Sequence, residues 1–352
     1  MKKRSFGLSR GRNHESKSQT LSSEFRIPNL NGVLVVDKPA GISSAKAVAI
    51  VKRLLKVRKI GHAGALDPLA TGILVCCLNR ATRLAYFFLK STKTYKAVLH
   101  LGVETDTQDA TGEITAQCRN SIVNEAELST INAVMKRFEG KSKQMPPVYS
   151  ALKHKGVPLY KLARRGEPVQ KPAREVVIKS IRIDAIELPY IRFTVSCSAG
   201  AYIRTLCADI GAALGYGGHL KALRRVASGS FTIRQAIGID ELEKSAGSDK
   251  FRDALSARII PASDALTDMP VHVADKDLAD RIRHGQQIPN SEFRIPNSKW
   301  GNFIKITDTT NNLLAIVENV KEKRHYRYWG VFNAECEIPN SEFKIPNSKR
   351  EA

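Results

Sequence analysis

Asp67 and His62 stand five residues apart in Gly61-His-Ala-Gly-Ala-Leu-Asp-Pro-Leu-Ala-Thr-Gly72, a segment punctuated by Gly61, Gly64 and Gly72. A carboxylate can add to an electrophilic carbon and later depart, and beside an imidazole it can share acid–base work. Glycines permit tight backbone paths and close ligand approach, and residues on such loops are placed for binding more often than for packing. A plainer reading stands next to this one. Asp67 followed by Pro68 suits a helix N-terminus, with a side-chain acceptor at the cap and a proline in the first turn. The local chemistry alone names no reaction.

A second group of residues suits a polyanion. Ser142 to Lys171 holds Pro146, Pro147, Tyr149 and Tyr160 among Lys143, Lys153, Lys155, Lys161, Arg164 and Arg165. Tyrosines interleaved with cations suit stacking on bases and pairing with phosphates. A long loop inside a compact domain is usually functional or disordered, and a solvated charged insertion is the bland alternative. The whole chain leans the same way: 56 basic against 34 acidic residues give a formal charge of +22. An excess of that size favours a polyanionic partner, of which nucleic acid is the commonest, over a merely solvated basic surface.

Composition excludes other classes. A chain of 352 residues suits one large domain plus a minor one, and 42% apolar residues suffice for a core. No apolar run approaches the roughly 20 residues of a membrane span, so a soluble protein is expected. Cysteines 76, 77, 118, 197, 207 and 336 form no CxxC pair, and the histidines show no HExxH spacing. Small buried thiols, a reducing cytoplasm and no metal are therefore expected. Met1-Lys-Lys-Arg is basic but lacks the apolar stretch of a signal peptide, leaving an organelle transit peptide as the weaker alternative.

The elements that must position these residues are mixed α and β. Val33–Asp37 and Gly72–Leu78 read as short buried strands; Tyr95, Ala97, Leu99 and Leu101 alternate as a half-buried one. Ser43 or Ser44 caps a helix bearing Val48, Val51, Leu54 and Leu55 on one face. Asn124 opens a helix through Phe138 that Gly140 ends. Val176–Ile183 and Ile191–Cys197 alternate again, and a helical stretch follows from about Tyr202 to Leu214. From about Pro270 a second, mostly β unit begins, with a short helix ending at Gly285 and strands near 303–306, 313–317 and 328–332.

A repeat runs through the chain. Ser23-Glu-Phe-Arg-Ile-Pro-Asn29 recurs as Ser291-Glu-Phe-Arg-Ile-Pro-Asn297 and as Ser341-Glu-Phe-Lys-Ile-Pro-Asn347, with Ile-Pro-Asn half copies at 288–290 and 338–340. Unequal separations rule out a solenoid, which needs a fixed period of about 20–50 residues. The copies read as translated repeat DNA tolerated in loose chain, with a short binding motif as the alternative.

Gly32-Val-Leu-Val-Val-Asp-Lys-Pro-Ala-Gly-Ile-Ser-Ser44, the glycine-rich segment extended to Leu74, Lys93-Thr-Tyr-Lys-Ala97, Gly200-Ala-Tyr-Ile-Arg-Thr-Leu206 and His219-Leu-Lys-Ala-Leu-Arg-Arg225 follow one another along the chain. In that order they resemble the motifs of TruB-type pseudouridine synthases. The resemblance implies an α+β fold. A mixed, largely antiparallel sheet would form a catalytic domain over residues 31–265, with an RNA-binding insertion loop at 142–171. A small C-terminal PUA-like β domain would follow over 266–334, with the repeat inserted at about 287–299. Residues 1–30 and 335–352 read as disordered tails.

The resemblance also assigns roles. Asp67 is the implied nucleophile, Arg204 its ionic partner, and Tyr95 the ring that stacks on the target base and assists proton transfer. Lys38 and Pro39 shape the pocket, His62 lies near the extruded base, and Tyr149, Lys153 and Tyr202 touch substrate. Leu223 is an apolar pocket residue. Read without the family, Tyr95 is an ordinary core tyrosine on a strand and Leu223 a core leucine on a helix. Ala65 stands where the family often has threonine.

The implied reaction converts uridine to pseudouridine in the T-arm loop of tRNA, at position 55, after the base is flipped out. Nothing is oxidised and nothing leaves, so no cofactor or metal is implied. A nucleophilic carboxylate must be ionised, which a nearby arginine favours. Whether it attacks base or sugar stays open. Phosphate contacts from the insertion, the Lys52–Lys59 cluster and the C-terminal unit predict salt-sensitive RNA binding by a monomer. Two rivals remain: a non-catalytic tRNA-binding or chaperone protein on the same scaffold, and a hydrolase using Asp67 with His62. The hydrolase leaves the charge and the basic insertion unexplained.

Overall fold

The computed structural model describes residues 31–118, 127–245, 255–320 and 323–332. The apolar run after Asn31 forms the strand Gly32–Lys38, which pairs antiparallel with Thr71–Leu78 from Gly32 opposite Leu78 to Lys38 opposite Gly72. Both strands are apolar on both faces, as strands covered from two sides must be. On the other side, Gly218–Ser228, Lys93–Leu101, Tyr190–Cys197, Arg174–Glu187 and Gly140–Gln144 pair antiparallel in succession. The two halves join by a short parallel contact, Arg224 opposite Thr71 and Arg225 opposite Gly72. The result is one mixed, largely antiparallel eleven-stranded sheet. Its parallel seam is where the candidate site lies.

Helices cover the sheet. Ser43 caps Ser44–Leu55 by accepting the Lys46 N–H, and Lys56 ends the helix in the left-handed conformation. Ala47, Val51 and Leu55 pack on Leu34, Val36 and Leu74. The helix Ile203–Ala213 buries Leu206, Cys207 and Ile210 against Leu99, Phe193 and Leu220. The helix Glu127–Arg137 matches the expected one at its C-terminal end, while Asn124 lies outside the described residues.

Three local readings need correction. No helix starts at Asp67: the Ala70 N–H donates to Asp67 O in a tight turn, because the strand at Thr71 begins before a helical turn fits. Leu223 lies on the strand Gly218–Ser228, whose bulges at Leu220/Ala222 and Arg225/Ala227 blur the period-two signal. The stretch 142–171 is folded rather than one long loop. It contributes a strand end, a hairpin of Lys153–His154 with Val157–Pro158, and the helix Leu159–Ala163.

Val271–Val273, Phe303–Thr307, Leu313–Glu318 and Arg327–Val331 form a separate four-stranded sheet beside the helix Lys276–Arg283, which Asp275 caps. The internal repeat copy is part of this module's core, not an excursion from it. Ile288 is fully buried, and the Phe293 ring stacks between His272 (4.4 Å) and Tyr326 (4.6 Å). Ile288 and Phe293, with partly buried Ile295, give the segment a buried side once Leu278, Ile282, Ile304 and Ile306 are beside it. The other two full copies lie outside the described residues. Phe303 and Trp329 seat the module on Phe87 of the main domain (5.2 and 5.4 Å). Arg83 Nη1 donates to Val331 O at 2.8 Å across the same junction. Among the described residues no helix is long and apolar enough to cross a membrane.

Candidate active site

The loop from Ala63 to Ala70 is pinned from several sides. Buried Ser44 accepts the Leu66 N–H at 2.7 Å and donates to Leu66 O at 3.0 Å, closing a two-way clip on the residue before Asp67. Lys38, fully buried, donates from Nζ to Pro39 O (2.7 Å) and Ile42 O (2.8 Å) and reaches Pro68 O at 3.4 Å. The Gly41 N–H also donates to Pro68 O. Gly72 ends the loop at φ +98°, where a Cβ would stand 2.2 Å from Arg225 O. Only glycine allows that approach.

This cradle presents Asp67 to Arg204. Arg204 Nε is 2.9 Å from Asp67 Oδ2, and Nη2 is 3.4 Å from Oδ1. The guanidinium is 4% exposed and its carboxylate 41%, so the pair has a buried cation and an open anion. The remaining donors fix the arginine: Nη1 to Thr107 O and Nη2 to Tyr149 O, both at 3.0 Å. Asp109, 6% exposed, sits behind it with Oδ2 3.8 Å from Nε. Asp109 is itself held by Thr107 Oγ1, Thr111 N and Thr111 Oγ1.

Asp67 and Arg204 line a cavity of about 260 Å³ with Leu66, Lys93, Tyr95, Tyr202, Leu223 and Arg225. Burial raises the Tyr95 phenol above its usual range, while the Arg225 guanidinium works against the rise. Tyr202 is also raised by burial. Its N–H donates to Gln144 Oε1 and its carbonyl accepts from Gln144 Nε2, which anchors the start of the helix. Lys93 is buried with Nζ donating to Phe88 O, Leu89 O and Ser91 O. Burial, with Arg225 nearby, holds it down to about 8. Lys38 is held down to about 8 as well, mainly by burial, although Asp67 opposes the shift.

Of the residues singled out in the sequence, Asp67, Tyr95, Tyr202, Arg204 and Leu223 meet in this cavity. Lys38 supports the loop from behind. His62 sits on the short strand Ile60–His62 opposite Cys76, outside the cavity lining, and burial lowers its pKa. Tyr149 contributes its carbonyl to Arg204, while its hydroxyl donates to Asp106 Oδ2 at 3.2 Å. Lys153 lies exposed on the hairpin, outside the cavity lining. Sequence reasoning missed Asp109, whose Thr-Gln-Asp-Ala-Thr surroundings read as an ordinary turn. It also gave no part to Lys93 and Arg225, although both fall inside quoted motifs. A larger cleft of about 760 Å³ lies at the junction with the C-terminal module, but its Asp268 is exposed and paired with Lys299 at 2.7 Å. It has no counterpart of the Asp67–Arg204 pair.

The N-terminal domain model of the TruB family pseudouridylate synthases matches residues 52–203, and the tRNA pseudouridylate synthase B C-terminal domain matches 204–267. The tRNA pseudouridine synthase B of Syntrophus aciditrophicus (strain SB) is 42% identical over 290 residues, 82% of this chain and 90% of that protein. The protein of the same name from Burkholderia pseudomallei (strain 668) is 40% identical over 288 residues, 82% and 92% of the two chains. Among solved structures, a chain of a Cbf5-Nop10-Gar1 complex superimposes with a TM-score of 0.65 at 28% identity, covering 86% of this chain and 85% of that one. An H/ACA RNP bound to a substrate RNA containing 2′-deoxyuridine contributes a chain similar at TM-score 0.63 and 25% identity, covering 89% and 87%.

Proposed function

Since the chain belongs to the TruB family of pseudouridylate synthases, we propose that it isomerises the uridine at position 55, in the T-arm loop of tRNA, with Asp67 as nucleophile. Its activity is tRNA pseudouridine synthesis, and it is an isomerase. The observation that carries the assignment is the pair of Asp67 with buried Arg204 at 2.9 Å, at a cavity lined by Tyr95 and Leu223.

The reaction breaks the N1–C1′ bond, leaves its electron pair on the base, and joins C1′ to C5 of the same base. C5 then loses its proton and N1 gains one. Asp67 adds to an electrophilic carbon of the nucleoside and departs when the new bond forms. Arg204 pairs with the Asp67 carboxylate through Nε at 2.9 Å and aims it. Tyr95 stacks on one face of the base and its hydroxyl assists proton transfer, while Leu223 bounds the cavity. A cavity of this size takes one base rather than a helix, so the uridine must leave its stack at a cost of a few kcal/mol.

The basic surface supports an RNA held by its phosphates. Lys143, Lys153, Lys155, Lys161, Arg164 and Arg165 are all exposed on the 142–171 segment, as are Lys52, Lys56 and Lys59 on the main domain. The five cysteines among the described residues are all free, which suits a reducing cytoplasm. We take the working form to be a monomer, which light scattering checks. Specificity is tested with tRNA labelled by tritium at uridine C5 in the T-arm loop alone or elsewhere alone. Label released only from the T-arm substrate supports the assignment; equal release from both contradicts it.

A further inference from the structure

Arg225 is the bulkiest fully enclosed side chain described, 1% exposed, and none of the steps above uses it. Nε donates to Ile73 O at 2.7 Å and Nη2 to Gly64 O at 3.0 Å, while Nη1 reaches Ala65 O at 3.5 Å. Gly64 and Ala65 belong to the loop that ends in Asp67. Arg225 is also the direct cross-strand neighbour of Tyr95, lines the same cavity, and brings its guanidinium within hydrogen-bonding reach of the Tyr95 hydroxyl. No carboxylate among the described residues pairs with it.

A guanidinium kept from water without an anion is costly, and carbonyl oxygens offset only part of that cost. A neutral donor such as glutamine could hold the loop carbonyls more cheaply. The formal charge therefore needs a purpose that a neutral staple cannot serve. Lys93, Lys38 and Arg204 add to the positive surroundings, and Asp67 is the one carboxylate lining the cavity.

We propose that Arg225 is a positioning residue whose fork fixes the loop before Asp67 and whose charge, set beside Tyr95, holds the detached uracil anion inside the cavity. The inference rests on the isomerase reading above. When N1–C1′ breaks, the electron pair stays with the base and spreads over N1 and its carbonyl oxygens. The base must then turn to offer C5 while remaining in place. Hydrogen bonds made directly to the base would pin one orientation. A fixed charge whose donors are already taken by Ile73 O and Gly64 O attracts the anion through the whole turn without bonds that have to be broken.

The test compares full-length Arg225→Lys, Arg225→Gln and Arg225→Met. Single-turnover isomerisation, tRNA affinity and the folded fraction by circular dichroism are measured for each, with rates normalised to folded protein. Gln and Met are expected to lose about 100-fold in rate with affinity unchanged within about twofold, and Lys to recover at least about tenfold over Gln. Gln as fast as Lys would overturn the role of the charge and leave a neutral staple. Should Gln and Met not fold, Lys alone decides: at least about a tenth of the wild-type rate supports the proposal, and a loss of about 100-fold overturns it. A wild type that fails to turn over T-arm uridine would refute the underlying isomerase reading instead.

Discussion

Arg204→Met removes a cation from two carboxylates that stand in different surroundings. Asp109 is 6% exposed and Asp67 41%, so only Asp109 is stranded away from water when the guanidinium goes. Breaking a buried pair by deleting one partner costs about 3–5 kcal/mol. Three hydrogen bonds from Thr107 and Thr111 keep part of the Asp109 charge solvated, which points to the lower end, about 3 kcal/mol. Asp67, facing solvent, contributes at most about 1 kcal/mol. On the proposed mechanism catalysis rests on the other carboxylate, so the variant with an unaimed Asp67 is expected to lose about 100-fold or more in turnover. The double variant Arg204→Met/Asp109→Asn removes the stranded charge as well. It should regain at least about half of the lost stability and none of the turnover. Urea unfolding followed by circular dichroism reads the first quantity, and tritium release from 5-labelled tRNA reads the second. A double variant no more stable than the single one, or one that recovers both stability and activity, would refute the division of labour between the two aspartates.

Gly72→Ala forces a Cβ to 2.2 Å from Arg225 O at φ +98°, so a large fall in melting temperature and loss of activity are expected in thermal melts and turnover assays. Phe293→Ala empties the stack between His272 and Tyr326 and should destabilise the C-terminal module by about 3 kcal/mol or more in urea; an unchanged midpoint would return the repeat to the status of a loose loop. Lys38 is held down to about 8 against its ordinary 10.5, so the unfolded chain binds the proton more tightly and this lysine's penalty on folding shrinks as pH rises above about 8. Wild type should therefore gain on Lys38→Met by up to about 1.4 kcal/mol per pH unit between pH 8 and 9, read by denaturation at each pH; a pH-independent difference would contradict it.

Much of the fold was legible because its signals are local. The apolar runs at 33–37 and 72–78, the alternation around Tyr95 and the serine before Val48 all became the elements they indicate. Asp67, Tyr95 and Arg204 were legible through motif resemblance, since each is separated from the others by long stretches of chain and only the fold joins them. Asp109 was not, because a turn-forming Asp and a buried counter-charge look alike until Arg204 is placed beside one of them. Asp67-Pro68 misled as a helix cap because the cap signal is blind to the strand that starts at Thr71. Leu223 misled because two bulges break the strand period. The internal repeat misled because its apolar anchors become visible only against the helix Lys276–Arg283 and Tyr326.

Asp67 is the proposed nucleophile, and its carboxylate can be tested directly. Asp67→Asn keeps the size of the side chain and removes the nucleophilic charge. Tritium release should be measured on tRNA labelled at C5 of the T-arm loop uridine, with RNA affinity measured in parallel. Wild type is expected to release the label with turnover, and Asp67→Asn to bind the tRNA normally and release none above background. Substantial release by a folded Asp67→Asn protein would contradict the assignment of Asp67 as nucleophile.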